Sequence, residues 1–130
     1  MNTKILEEIP KIIASANKTQ SIDKLLEYNM RLSGYLFHLN EMENLSYRAY
    51  LDAYNERKYQ TAVLTRDGQG SATDRANNAE IEIKDLRVIE AEAEMLYKKL
   101  QGIKFSTSEF IGVLTQKIAY LRKEQETTKQ

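Results

Sequence analysis

Two long stretches repeat apolar residues at helical spacing, and a short polar octet separates them. In the first, about residues 22–65, Ile22, Leu25, Leu26, Leu32, Leu36, Leu39, Leu45, Tyr50, Ala53 and Leu64 trace one slowly drifting stripe. The stripe crosses Asn29, Glu43 and Arg57, so it is no strict leucine zipper. A helix of this length spans about 66 Å, far longer than an average globular helix. In the second stretch, residues 73–101, Ala76, Ala79, Ile83, Leu86, Ala93, Leu96, Tyr97 and Leu100 form the facing stripe, with Thr73 or Asp74 as the expected cap. Between them lies Asp67-Gly68-Gln69-Gly70-Ser71-Ala72-Thr73-Asp74. Glycine reaches backbone angles closed to other residues, and Asp, Ser and Thr bond locally to the backbone, so the octet reads as a turn. Folding there predicts that residue i faces residue 138 − i, which sets Arg57 and Lys58 beside Glu80.

The ends of the chain carry shorter patterns. Ile5, Leu6, Ile9, Ile12 and Ile13 lie on one helical face within residues 1–16, where Pro10 predicts either a kinked helix or two pieces. Residues 17–21 are a polar break in which Thr19 or Ser21 can cap the next helix. Gln101-Gly102 reads as a second break. Ser106-Thr107-Ser108-Glu109 matches a capping box and opens a short terminal helix over 107–124. The predicted fold is all-α: a single domain built on a long, coiled-coil-like antiparallel helical hairpin with short N- and C-terminal helices.

Composition agrees with this pattern. One proline in 130 residues and few glycines suit extended helix, and no run rich in Val or Thr suggests a strand. A two-helix layer buries little surface, which predicts self-association. Basic and acidic residues balance at 19 each, so no global field draws the chain to nucleic acid or membrane. The absence of cysteine excludes disulfides and thiolate metal sites and fits a reducing cytoplasm. The first ten residues carry early acids and do not read as a signal peptide. No apolar run approaches the roughly 20 residues needed to span a bilayer.

Candidate chemistry is sparse. The lone histidine, His38, sits between Phe37 and Leu39 with no cysteine to partner it, and reads as a packed or surface residue. The carboxylates Glu41, Glu43, Glu90, Glu92 and Glu94 could serve a bundle metal site, but Glu41 and Glu94 lack the histidine three residues on that such a site uses, so neither a metal nor a cofactor is expected. The glycines of the octet lack the Gly-Lys-Ser/Thr ending of a phosphate loop. The expected protein is not an enzyme. Charge is nonetheless polarised: residues 80–94 are mainly acidic, residues 98–123 mainly basic, and Arg57, Lys58 and Arg66 cluster near the turn. These cations serve either cross-helix ion pairs or phosphate binding. Tyr47, Tyr50 and Tyr54, at helical spacing, serve either an interface or base stacking. The face of Phe110, Leu114, Ile118 and Leu121 either folds back on the hairpin or closes an oligomer.

Arg48-Ala49-Tyr50-Leu51-Asp52-Ala53-Tyr54, the Gly/Asp-rich turn and the apolar face from Phe110 to Leu121 together resemble the UvsY family of phage recombination mediators. That family carries a basic–Ala–basic–Leu–Asp–Tyr–Tyr stretch late in its first long helix. Here Arg48 holds the first basic position and Tyr50 stands at the second, with Arg57 and Lys58 one to two turns further on. The resemblance implies a non-enzymatic recombination or replication accessory protein that forms homo-oligomers. It would bind single-stranded DNA, and contact a recombinase or single-strand-binding protein, in the bacterial host cytoplasm. On that reading Arg48, Arg57 and Lys58 neutralise phosphate, Tyr50 and Tyr54 stack on bases, and Phe110, Leu114, Ile118 and Leu121 form the oligomer interface. The alternative expectation is a small helical protein–protein interaction protein, or a host-enzyme inhibitor, without nucleic-acid binding.

Overall fold

The computed structural model of the protein describes residues 3–129, and every regular element among them is helical. Helix α1 spans Thr3–Lys18, α2 Ile22–Asp67, α3 Ala72–Glu82 and α4 Lys84–Lys129. The long helices α2 and α4 pack against each other as a hairpin. Met1 and Asn2, the first residues of the expected N-terminal helix, lie outside the described residues.

Two compact units divide the chain: residues up to 42 with those from 101 on, and residues 43–100. The first unit joins α1, residues 22–42 of α2 and the part of α4 from residue 101. Its core is ordinary in kind. Ile5, Ile9, Ile12 and Ala16 of α1, Leu25, Leu32, Leu39 and Met42 of α2, and Leu114 and Ile118 of α4 are all buried. Pro10 lies exposed inside α1, and the helix continues through it. Helix α1 stays seated through polar contacts as well. The Tyr35 hydroxyl donates to the Glu8 carboxylate, and Lys117 Nζ donates to the Ala16 carbonyl at 3.1 Å. Ser21 caps α2 by accepting from the Lys24 amide at 3.4 Å, while Thr19 accepts from the Ser21 amide at 3.2 Å. Antiparallel pairing shows in two side-chain contacts, Asn29 with Thr115 and Asn40 with Lys104.

The second unit holds the rest of α2, the turn, α3 and residues 84–100 of α4. Among the described residues, Ala79, Ile83 and Leu100 are its only buried apolar side chains, beside the buried polar Glu43 and Ser46. Its turn is built at Gly70, whose φ of +98° only glycine adopts without strain. Ser71 rather than Thr73 or Asp74 is the N-cap of α3. Its hydroxyl accepts from the Asp74 amide, and the Asp74 carboxylate accepts from the Ser71 amide, closing a capping box.

Three expectations about element boundaries are corrected. No break occurs at Gln101-Gly102: the expected helices over 73–101 and 107–124 give way to α4, continuous from Lys84 to Lys129. Thr107 is buried within it, its hydroxyl donating to the Ile103 carbonyl at 2.7 Å. The interruption falls instead at Ile83, between α3 and α4, where φ and ψ of −93° and 9° leave the helical range. Finally, α2 runs to Asp67, two residues beyond the expected end.

Candidate nucleic-acid interface at the hairpin tip

The expected facing pairs are also corrected. Arg57 does not meet Glu80. Its guanidinium grips Glu90, with Nε to Oε2 at 2.7 Å and Nη2 to Oε1 at 3.2 Å. Glu80 accepts instead from Arg87, at 2.8 and 2.6 Å. The two arms are offset: Gly68 approaches Arg75, and Arg57 and Tyr50 each meet a residue further along the returning arm than the 138 − i rule gives, Glu90 and Tyr97.

Tyrosines fill the same seam. The rings of Tyr50 and Tyr97 stack at 6.4 Å with 13° between their planes, and Tyr47 meets Tyr97 at 5.0 Å. Burial against these rings, then the nearby Glu94 and Glu90 carboxylates, raise the Tyr50 phenol above its ordinary range. Tyr54 carries two cations over its ring, Arg57 and Lys58, each 5.2 Å from the centroid. The hydrogen bond from Arg57 holds the Glu90 carboxyl below its usual value, and the same bond raises the Arg57 guanidinium.

The five residues expected to bind nucleic acid therefore divide. Arg48 is exposed on α2, and Lys58 is exposed beside Tyr54. Arg57 and Tyr50 are part of the packing between helices, and Tyr54 is half-buried beneath the cations. A different grouping forms at the tip. Arg57, Lys58, Thr61, Ala62, Thr65 and Arg66 of α2, with Ala72 and Arg75 of α3, line one shallow groove. Four basic side chains and no acidic one face it. Two of those charges are countered: Arg57 by Glu90, and Arg66 by Asp67 at 2.9 Å. Lys58 and Arg75 make no ion pair among the described residues, and the Nε of Arg75 is buried without an acceptor. Arg75 escaped sequence reasoning. The signal was its place one residue after the turn, where the first turn of α3 lies against the last turns of α2.

The expected oligomer face is placed in the first unit. Leu114 and Ile118 are buried within the chain, with Leu114 1% exposed, and Phe110 and Leu121 are half-buried. The segment continues α4 without folding back, and its Leu114 and Ile118 pack within the chain. The acidic residues weighed as metal ligands do not converge. Glu90 is held by Arg57 and Glu94 by Lys98 at 2.7 Å, and no group of three ligating residues forms among the described residues. His38 is exposed, edge-on to Phe37. No helix among the described residues is long and apolar enough to cross a membrane. Comparison with protein-family models, curated proteins and solved structures returns no match to this chain.

Proposed function

We propose that the protein is a non-enzymatic accessory factor of the phage recombination or replication type, acting in a bacterial cytoplasm. It binds single-stranded DNA at the hairpin tip and works as a homo-oligomer beside a recombinase or single-strand-binding protein. The observation that carries this reading is the tip groove, lined by Arg57, Lys58, Arg66 and Arg75, of which Lys58 and Arg75 make no ion pair among the described residues. A groove of this kind attracts a phosphate chain, and the Tyr54 ring beside Lys58 offers a stacking edge. The footprint thus moves from Arg48 and Tyr50 toward Lys58, Arg66 and Arg75.

The test is a titration of labelled single-stranded DNA at low and moderate salt. Binding should weaken steeply with salt. Replacing both Lys58 and Arg75 by alanine should weaken it further and reduce the log–log salt slope by about 1.4 per protomer, at ~0.7 for each phosphate no longer neutralised. No binding at low salt, or a slope untouched by the double substitution, would sink the reading.

A second reading is a helical protein-interaction or host-enzyme inhibitor protein without nucleic-acid affinity. It is favoured by the engagement of Arg57 with Glu90 and of Tyr50 with Tyr97, which withdraws both from any ligand.

A further inference from the structure

Among the described residues, the second unit leaves most of the large exposed apolar side chains uncovered. The most regular of these lie on the returning arm. Ile81, Val88 and Met95 are spaced by seven residues and are 74%, 50% and 71% exposed. Ile81, Val88 and Ala91 line one shallow groove together with Glu80, Lys84 and Arg87, and Met95 follows one turn after Ala91. Lys84 and Ala91 fall between the three at three- and four-residue spacing, the alternation of a helix contact line, which here passes from α3 into α4 across the interruption at Ile83.

The accessible surface says how much cover is missing. A folded monomer of 15.1 kDa exposes about 7,100 Å², whereas this chain exposes 9185 Å². The excess, roughly 2,100 Å², matches what a subunit of a permanent assembly hides against its neighbours. We infer that a second copy of this chain covers the Ile81–Val88–Met95 stripe, the two stripes running antiparallel about Val88. The stripe is complementary to itself in that arrangement. Ile81 of one copy lies opposite Met95 of the other, and Val88 meets its own counterpart across the two-fold axis. Lys84 of one copy comes level with Glu92 of the other, close to the centre line. Neither makes an ion pair within its own chain among the described residues. Ala91 keeps the approach close. This surface deepens the homo-oligomer part of the proposed function and does not depend on its DNA part.

Sedimentation of the full chain over a range of concentrations reads the association directly. The unsubstituted protein should sediment as a dimer or a multiple of it. Val88→Glu should lower the mass twofold or more, with helicity by circular dichroism unchanged. Lys84→Glu should weaken association, and adding Glu92→Lys should restore it. The chain has no cysteine of its own, so Val88→Cys should cross-link two copies under a mild oxidant, while Asn55→Cys on α2 should not. A monomer at every concentration would overturn both this surface and the homo-oligomer reading. An oligomer whose mass ignores Val88→Glu, and which Val88→Cys does not cross-link, would overturn this surface alone. DNA titration of the same variants scores the tip groove separately.

Discussion

Arg57 and Glu90 form the most buried ion pair among the described residues, their side chains 16% and 14% exposed, and they join α2 to α4 inside the second unit. Three buried apolar side chains give that unit a thin core, so a two-point charged contact carries unusual weight in it. Arg57→Ala should destabilise the protein by about 1–3 kcal/mol, because Glu90 is left half-buried without its donor. Urea denaturation checks this. A double-mutant cycle with Glu90→Ala should return a coupling well above that of an exposed pair, and additive losses would show that the contact does little.

Acid should weaken the same contact. The folded state holds the Glu90 carboxyl below its ordinary 4.5 through Arg57, and holds Glu8 below 4.5 through the Tyr35 hydroxyl and then the Lys4 and Arg31 charges. A depressed folded pKa means that the unfolded chain takes up protons first. The stabilisation is therefore complete above pH about 4.5 and fades as pH falls from there through the folded values. Thermal melts from neutral pH down to acid should show this limb. Glu90→Gln should begin less stable at neutral pH and fall less steeply below 4.5.

At the turn, Gly70→Ala should cost roughly 1–2 kcal/mol, since φ of +98° strains any L side chain and the new Cβ would sit 3.1 Å from Asp74. Ser71→Ala should cost about 1 kcal/mol by removing the cap of α3. Equal stability of either variant in denaturant titration would mean that the turn has another conformation.

Gly102→Ala should have the opposite sign. The glycine lies inside α4, and a Cβ built there meets nothing within 4 Å. Alanine should stabilise by about 0.5–1 kcal/mol. A loss of stability would argue for a helix end at this glycine.

Leu114→Ala should destabilise by about 2–5 kcal/mol through a cavity in the first unit. Its oligomer mass, measured while still folded, should stay that of the parent protein. A change of mass without loss of stability would return Leu114 to an intersubunit role.

Much of this architecture is legible in the chain. Gly68, Gly70 and Ser71 announce the turn, and the apolar stripes on either side announce two long helices. Register is harder to read. Arg57 meets Glu90 and Tyr50 meets Tyr97, an offset that no local signal at the turn announces. Expecting a break at Gly102 weighs a local signal, the Ser106–Glu109 box, above a longer one. Leu100, Ile103, Thr107, Phe110, Leu114, Ile118 and Leu121 alternate by three and four residues straight through the glycine, and packing on that stripe holds the helix together. Nothing local marks Ile83 as a break. The tip groove needs Arg75 and Lys58 to meet across a turn, which only a correct register provides.

The layout of the first unit also bears on the order in which the chain folds. Residues 43–100 are contiguous, and their ends meet by closing one short turn at Gly70. The seat of α1 has a near part on α2, where Tyr35 and Arg31 meet Glu8, and a far part on α4, where Lys117 reaches Ala16 from about a hundred residues on. During synthesis the α2 part is available early and the α4 part only after Ile118. The hairpin arm can therefore form while the apolar N-terminal helix is still partly uncovered, and that interval is when the nascent chain is most exposed to misassociation.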